Sequence, residues 1–552
     1  MAKSKLKKQH ILQLILALII LVLINFLSSF AFFRLDLTSE KRYSLSDQTK
    51  NILEDLEEPV YIKIYLKGDL PIGFSRLENA VREMLDEFQA YGGNNIRYKF
   101  VNPFENAGNK QREEIFQELR QKGLEPTNIQ ARDKEGGVTQ KVIFPGAVIN
   151  YGTKQLAVNL LSNNPGLSSE ANLNNSIESL EYKFIFPVKK LTTDTKPRIA
   201  FVEGHGELNE YQVGDITRTL SEFYRVDRVK IRGNNHILDP YEAVIIARPT
   251  QSLPEKDKFV IDQYLMNGGN LFWLIDRVEV RKDSLQTTGS TLAFPYSLNI
   301  EDQLFHYGVR INPDLVKDMQ CAIIPVNTAP VGVKPNFSPS PWLYHPLLMA
   351  RGKHPITHNL NMIKTKYPSS IDTVGMSSEA KRKVLLHSSE YSKIQETPAR
   401  ISMSEVSQQV ERRSFNRSYV PIAFLLEGTF QSVFANRMVS DYLPRGENLK
   451  TSSDSSKMVV VSDADVIRNE VRERPGGKMI VPLGFDRYSK QTFGNKDFVT
   501  HVIHYLADES GLIRLRSNEL KLRLSDRNQI NENRLMIQLI NLLLPVLLVI
   551  AG

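Results

Sequence analysis

The sequence predicts an α/β protein in which a small and a larger α/β domain lie between two transmembrane helices. Short strands rich in Val, Ile and Tyr alternate with amphipathic helices between residues 46 and 508. Two long apolar segments without a charged residue, 11–33 and 535–552, flank that region. Hydrophobic residues make up 41% of the 552 positions, enough to bury cores, and the single cysteine excludes an intramolecular disulfide framework.

The excess positive charge is concentrated at the N-terminus. Four of the eight excess charges lie in the first eight residues, on Lys3, Lys5, Lys7 and Lys8. The 23 residues of 11–33 would reach roughly 34 Å as a helix, enough to cross a hydrocarbon core of about 30 Å. We therefore predict a cytoplasmic basic tail at 1–10, an uncleaved transmembrane helix at 11–33 and an outer region beyond it. The alternative is a cleaved signal peptide with Ser29-Phe30-Ala31 as its cleavage motif, but the apolar run is longer than a signal peptide needs.

The other end of the chain repeats the pattern. Residues 535–552 are uncharged and nearly all aliphatic, and we predict a second transmembrane helix there, with a buried core helix as the alternative. Gln538 and Asn541 are three residues apart and hence on one face, where such side chains often hydrogen-bond to a partner helix in the membrane. Residues 511–534 are predicted to be the juxtamembrane segment.

Residues 34–195 are predicted to form the first domain outside the membrane. Ser46 is a capping residue for an amphipathic helix that stops at Pro59, and residues 60–66 alternate as a strand. The elements that follow are a helix at 75–91, a strand at 96–101, a polar helix at 112–121 and a hairpin. This β-α-β-α-β-β order resembles a thioredoxin-like fold. The CxxC motif of thioredoxin chemistry does not occur, so a scaffold role is expected.

Residues 196–510 are predicted to form the second, larger domain. Apolar strands at 198–203, 242–248 and 271–276 alternate with helices, which indicates a parallel sheet covered on both faces, as in doubly wound folds. A helix at 496–508 completes the domain. Three stretches rich in Pro and Ser lack an apolar period and are predicted to be loop insertions, at 281–295, 328–341 and 389–418.

The sequence lacks the motifs of common enzyme classes. Residues 476–479 lack the hydroxyl and the glycine spacing of a P-loop, so any ATPase would be another chain. Neither GxSxG nor HExxH occurs, and Cys321 has no flanking glycine, which favours a small apolar role over a nucleophile. His501 and His504 lack a third ligand at zinc-site spacing, which favours helix packing. We therefore expect no catalytic residue, cofactor or metal.

Nucleic-acid binding is not expected either. A nucleic-acid protein clusters its basic residues on one binding face. Outside the N-terminal tail, 66 basic and 62 acidic residues nearly cancel, and no Lys/Arg-rich block occurs.

Polar side chains follow three strands of the second domain. They are Glu203, His205 and Glu207 after the first strand, Asp276 after the second, and Asp463 and Asp465 after the third. Ligands of open α/β sheets bind beyond the carboxyl ends of the strands. If these strands are neighbours, the acidic groups converge around one histidine and could bind a cation, a sugar or a peptide amine. The alternative is that residues 204–206 are a tight turn, with Glu207 and Asp463 capping the following helices.

Several motifs resemble one family in order along nearly the whole chain. They are RYSLSDQTKNILEDLEEPVYIKIYL, KPRIAFVEGHGELNEYQVGDITRTLSEFYRV, GGNLFWLID, KRKVLLHSSEYS, KMVVVSDADVIRNE and FGNKDFVTHVIHYLADESGLIRLR. They resemble the GldG family, the gliding-motility-associated auxiliary proteins of bacterial ABC transporters, whose main periplasmic domain is called the GIFT domain.

The resemblance implies an amidotransferase-like sheet in the second domain. It also implies a non-enzymatic subunit of the bacterial inner membrane, with a cytoplasmic N-terminus and a large periplasmic domain. The implied partners are an ABC ATPase, a permease and other gliding or secretion components in the periplasm. The residues themselves leave one alternative open, a periplasmic ligand-binding or hydrolytic module that uses the acidic cluster.

Overall fold

The chain divides into two compact units, Ser46–Glu519 and a unit made of Met1–Leu45 with Leu520–Gly552. The computed structural model describes residues 13, 15, 16, 19, 20 and 45–517, the latter apart from 106, 133–137, 163, 165–166, 194, 328–333, 335, 351, 353, 376–379, 409, 476 and 509. The predicted tail 1–10, the segment 535–552 and its Gln538 and Asn541 lie outside the described residues. Of the predicted helix 11–33, the five described residues are helical and exposed. Within the described part of the chain, no helix has both the length and the apolar character needed to cross a membrane.

The first half of the unit Ser46–Glu519 is a small α/β domain. In chain order its elements are α1 (Asp47–Glu54), β1 (Val60–Ile64), α2 (Ile72–Gly92), β2 (Ile96–Phe100), α3 (Asn109–Gln121), β3 (Thr127–Arg132), β4 (Val138–Ile143), β5 (Gly146–Tyr151), β6 (Lys154–Asn159), α4 (Ser169–Glu178) and α5 (Leu180–Thr192).

The strands of this domain form one sheet and a separate hairpin. The sheet has the order β2-β1-β5-β6, in which β1 is parallel to β2 and antiparallel to β5. The hairpin pairs β3 with β4. Strand β3 was not predicted, because its residues are largely polar and lack an apolar alternation. The predicted cap is present, since the Ser46 side chain accepts a hydrogen bond from the backbone N–H of Thr49 at the start of α1.

The second half contains most of the strands. Its elements are β7 (Arg198–Glu203), α6 (Gly214–Ser221), β8 (Arg225–Lys230), β9 (Ala243–Ala247), α7 (Glu255–Met266), β10 (Asn270–Leu274), β11 (Val278–Val280), α8 (Lys282–Thr288), β12 (Ser290–Pro295), α9 (Glu301–Tyr307), β13 (Val309–Ile311), β14 (Asp314–Asp318), β15 (Cys321–Asn327), β16 (Phe337–Ala350), β17 (Ile363–Lys364), β18 (Ile371–Thr373), β19 (Lys381–His387), β20 (Ser392–Glu396), β21 (Ala399–Ser402), β22 (Pro421–Gly428), β23 (Ser456–Val461), β24 (Val471–Arg474), β25 (Gly477–Ile480), β26 (Phe485–Asp486), β27 (Gln491–Thr492) and α10 (Asn495–Ala507).

A ten-stranded sheet organises this half, with the order β15-β16-β19-β22-β23-β10-β9-β7-β8 and β17 beside β16. The strands from β23 to β8 are parallel, and those from β15 to β22 are antiparallel. Strand β9 is fully buried between two layers of helices. Ile245 packs on the face that α6 and α10 cover, and Ile246 packs on the opposite face, which α7 and α9 cover. An apolar strand buried on both faces is typical of a parallel sheet between helices. The α/β prediction is therefore confirmed.

The three stretches predicted to be loops contain regular structure. Strand β12 and helix α8 lie in 281–295, β16 begins in 328–341, and β20 and β21 lie in 389–418. The prediction was wrong for these elements, because the part of each that lies within its stretch buries few apolar side chains and packs against distant residues. Together they enclose a satellite core whose largest members are Trp342 and Tyr344.

The two halves meet through aromatic side chains on α5, on α10 and in the segment that follows α6. The Phe186 ring lies 4.6 Å from that of His504, and the Phe223 ring lies 4.8 Å from it. The Tyr224 hydroxyl lies 2.8 Å from His504 Nδ1. Burial, together with the charges of Arg516 and Lys190, lowers the pKa of His504 to about 3, so the ring is neutral and packs as an aromatic group.

Candidate functional site

His205 lies in the turn that follows β7, at the carboxyl edge of the parallel sheet. Gly204 and Gly206 flank it with φ angles of 127° and 79°, which side chains rarely adopt. The imidazole is only 5% exposed. Its Nδ1 lies 2.9 Å from Glu207 Oε1, and its Nε2 lies 2.9 Å from Asp257 Oδ2. Both ring nitrogens are therefore engaged by carboxylates.

Asp257 holds this turn against a second loop. It lies in the first turn of α7, and its Oδ1 accepts a 2.6 Å hydrogen bond from the backbone N–H of Gly233. Burial alone would lower the pKa of His205, but the hydrogen bonds and charges of Asp257 and Glu207 outweigh it and raise the pKa to about 9. At neutral pH the ring is an imidazolium that donates two hydrogen bonds. It has no lone pair to act as a general base, so the arrangement is suited to holding loops together.

Glu203 has a different partner. It forms an ion pair with Arg228 on β8, whose Nη2 also donates a 2.7 Å hydrogen bond to the Leu208 carbonyl. The contact joins the end of β7 to its neighbour strand and to the chain beyond the His205 turn.

The three aspartates at the ends of β10 and β23 form a separate group. Asp276 accepts from Arg248 Nε at 2.6 Å and from the Ala464 N–H at 2.8 Å. Asp463 accepts from the N–H of Lys366 at 2.6 Å and from the N–H of Asp465 at 2.7 Å. All four of these carboxylate oxygens thus accept a hydrogen bond from the protein.

The charges of this group act on Asp463 in particular. Burial, with Asp465 and Asp276 close by, raises the pKa of Asp463 well above its usual range. Asp465 lies 3.9 Å from Lys366 Nζ and 3.7 Å from Arg468 Nη1. Burial opposes the charge of Arg248, but Asp276 and Asp465 outweigh it and raise the pKa of that guanidinium.

The structure thus brings together Asp276, Asp463 and Asp465, as neighbouring parallel strands should. Their hydrogen bonds do not go to His205, whose partners are Glu207 and Asp257. The expectation of one acidic cluster around the histidine needs correction, because β7 is separated from β10 by β9 in the sheet. The predicted cap at Asp463 is present, since it caps the short 3₁₀ helix Ala464–Val466, whereas Glu207 accepts from the N–H of His205.

Three residues that contact the candidate site residues were not predicted from the sequence, namely Asp257, Arg228 and Arg248. Asp257 carried a weak signal, an acidic residue in the first turn of a helix that follows Pro254. Arg228 lies within an ordinary strand, and Arg248 has a φ of 61° in a loop, so neither shows a local pattern that points to its carboxylate. Each of these residues contacts a carboxylate or histidine that lies at least 25 residues away in the sequence.

Other candidate groups have structural surroundings. Burial raises the pKa of the Cys321 thiol to about 12, which keeps it protonated and a poor nucleophile. Within the described ranges, no group of three or more His, Cys, Asp and Glu side chains has an arrangement suited to a metal ion.

Comparison with known proteins gives one relative in sequence and several remote structural likenesses. An uncharacterized protein from Borreliella burgdorferi is 21% identical over 368 residues, which are 66% of this chain and 65% of that protein, slightly less than two thirds of its length. The mmIFT52 N-terminal domain aligns with 56% of this chain and 97% of its own at 12% identity, with a TM-score of 0.32. A ThuA-like protein from Parabacteroides merdae aligns with 57% of this chain and 91% of its own at 11% identity, with a TM-score of 0.28. These TM-scores are too low to support an inference.

Two family descriptions match separate parts of the chain. Residues 39–150 match a domain of unknown function, DUF7088. Residues 196–501, which include β7 to β27 and the His205 and Asp463 sites, match the family described as an ABC-type uncharacterized transport system. That match spans just over half of the 552 residues. The chain therefore belongs to this ABC-type transport system family.

Proposed function

We propose that this chain is a non-enzymatic accessory subunit of an ABC transporter, anchored in the bacterial cytoplasmic membrane. The segments 11–33 and 535–552 are its anchors, and the unit Ser46–Glu519 lies in the periplasm. It works with an ATPase and a permease in gliding motility or an associated secretion process. Family membership over residues 196–501 carries the proposal.

The sequence supports the membrane and partner parts of this proposal. The lysine-rich tail before 11–33 favours a cytoplasmic N-terminus. The lack of a P-loop motif requires that ATP hydrolysis take place on another chain. The link to gliding rests on the ordered motifs that resemble the GldG family.

The alternative, a periplasmic ligand-binding or hydrolytic module, receives less support from the geometry. Its best candidates are the aspartates beyond β10 and β23, at the sheet edge where α/β proteins bind ligands. The oxygens of Asp276 and Asp463 already accept hydrogen bonds that join loops of the protein. A ligand would have to share these oxygens with the protein, which leaves fewer acceptor sites for it.

Copurification tests the proposal directly. Membranes from cells that carry a C-terminally tagged chain are solubilised in a mild detergent, and captured proteins are identified by mass spectrometry. We expect an ABC ATPase and a permease in stoichiometric amounts, and neither in the capture from untagged cells. Recovery of the intact chain alone, also after chemical crosslinking in living cells, would contradict an accessory role. A chain fully released from membranes by alkaline carbonate would contradict the anchors.

A further inference from the structure

The sheet formed by β11, β12 and β21 has one buried face and one open face. Its strands pair antiparallel in the order β11-β12-β21. Val278, Ala293 and Ile401 point inward to the core that contains Trp342. Because side chains alternate along a strand, Leu292 and Phe294 of the central strand point outward.

These two apolar side chains line an open groove. Leu292 is 54% exposed and Phe294 is 47% exposed. The groove has a volume of about 590 Å³ and also includes Glu279, Arg281 and Arg400. Single exposed apolar residues are ordinary, but two on adjacent outward positions of a central strand, at the floor of a groove, indicate an interaction surface.

The positive and negative charges around the apolar floor of the groove do not balance. In the sheet register, Glu279 lies opposite Phe294, and Arg400 lies opposite Leu292. Arg281 Nε pairs with Glu279 Oε1 at 3.2 Å. The exposed Arg400 guanidinium makes a 3.4 Å contact with Ser290 Oγ, and in the part of the chain that the structure describes no carboxylate oxygen lies within 4.0 Å of it. The groove therefore offers one uncompensated guanidinium beside an apolar floor.

We infer that this groove binds a segment of a partner protein that carries apolar side chains and a carboxylate. The apolar side chains cover Leu292 and Phe294, and the carboxylate pairs with Arg400, whose planar guanidinium suits a two-oxygen acceptor. A membrane surface fits less well, because the groove is concave whereas the surface of a bilayer is flat on this scale. Mixed charges around an apolar centre are the usual composition of a protein interface. This inference does not depend on whether the chain is a subunit of an ABC transporter.

Peptide binding tests the chemistry of the groove. The purified full-length chain in mild detergent is titrated into two fluorescein-labelled eight-residue peptides, one of alternating leucine and glutamate and one of alternating leucine and lysine. Fluorescence anisotropy should show at least tenfold tighter binding of the glutamate peptide. Arg400→Glu should weaken that binding at least tenfold, and Phe294→Ser should weaken it at least fivefold.

A matched charge reversal separates the groove from the general charge of the chain. Arg474 is exposed on β24, outside the groove, and Arg474→Glu changes the net charge equally. It should change the dissociation constant less than twofold. Equal binding of both peptides, or equal effects of Arg400→Glu and Arg474→Glu, would overturn the inference.

Crosslinking in cells distinguishes a protein from a lipid occupant. Phe294 is replaced by the photoreactive amino acid benzoylphenylalanine, and adducts are identified by mass spectrometry. A protein adduct that maps to a segment with acidic residues and is lost with Arg400→Glu is the expected result. Adducts to phospholipid that persist with Arg400→Glu would refute a protein partner.

Discussion

His205 Nε2 lies 2.9 Å from Asp257 Oδ2, and this contact ties the turn after β7 to the first turn of α7. Asp257 also accepts from the Gly233 N–H, so one carboxylate connects three segments at the carboxyl edge of the sheet. Because His205 and its two carboxylate partners are nearly buried, the contacts of the ring with Glu207 and Asp257 depend on its positive charge.

The first prediction concerns pH. The pKa of His205 is about 9 in the folded state, against about 6.5 in an unfolded chain. A raised pKa means that its contribution to stability is complete below pH 6.5 and is lost as the pH rises through about 9. The change is on the order of 3 kcal/mol at most. Hydrogen–deuterium exchange of residues 203–208, corrected for intrinsic rates, should show the local opening free energy falling over that window.

Two variants make this prediction specific. Asp257→Asn removes one of the two negative charges that raise the pKa of His205. The local opening free energy should therefore begin to fall at a lower pH and should fall by less. His236→Gln removes an exposed histidine and should leave exchange at 203–208 unchanged. A flat profile in the wild-type chain between pH 6 and 10 would contradict a folded-state pKa near 9 for His205.

The second prediction concerns Gly206. Its φ is 79°, and a Cβ at this position would lie 2.1 Å from Thr250 Oγ1. Gly206→Ala should therefore lower the free energy of unfolding by about 1–3 kcal/mol, through backbone strain and the steric clash. Thermal unfolding of the detergent-solubilised chain measures the effect.

The clash and the strain can be separated. Thr250→Ala removes the Oγ1 atom, so adding it to Gly206→Ala should recover part of the loss but leave the strain of the positive φ. Gly268→Ala is the matched control, because Gly268 has a φ of 98° and a Cβ added there would meet nothing within 4 Å. If Gly206→Ala and Gly268→Ala lower the free energy of unfolding by the same amount, the clash with Thr250 does not contribute.

The third prediction concerns Lys258, an ammonium group buried between α7 and α9. Its Nζ lies 3.0 Å from Glu255 Oε1 and 2.9 Å from Asp302 Oδ1, with the side chain fully buried. Lys258→Ala leaves a cavity and removes the cation between two carboxylates. We expect the free energy of unfolding, measured by urea denaturation, to fall by about 3 kcal/mol. Lys256→Ala, at an exposed position on the same helix, should change stability by less than about 0.5 kcal/mol.

The fourth prediction tests topology. Met438 is 97% exposed, and the native Cys321 is half-buried with its pKa raised by burial to about 12. In a Cys321→Ala background, Met438→Cys should react with a membrane-impermeant maleimide in cells whose outer membrane is permeabilised. Lys5→Cys, in the predicted cytoplasmic tail, should react only after lysis. The reverse pattern would place the unit Ser46–Glu519 in the cytoplasm.

Local patterns predicted many of the elements well. The Ser46 cap is present, and the strands predicted at 198–203 and 271–276 are observed within two residues of their ends. These features depend on side chains that are close in sequence, such as a capping hydroxyl or a buried apolar run. The predicted loop insertions failed because β12 and β21 pair across more than a hundred residues, which no local window contains.

The candidate site, too, was predicted only in part. The sequence placed Glu203, His205 and Asp276 at the carboxyl ends of strands, which follows from chain direction and apolar runs. It could not say that His205 faces Asp257, 52 residues later, instead of Asp276. The order of strands in a sheet decides which ends are neighbours, and strand order is a property of the whole fold.

The sequence by itself determined the α/β class, the two apolar flanking segments, the basic tail and the lack of a P-loop motif, because each depends only on local composition and residue spacing. Only the tertiary structure decided that His205 lies between two carboxylates and that Leu292 and Phe294 face outward. It also decided that Arg400 has no carboxylate partner among the residues that the structure describes. A charge acquires its pKa, and a side chain its exposure, from groups brought close by folding, and those groups come from distant parts of the chain.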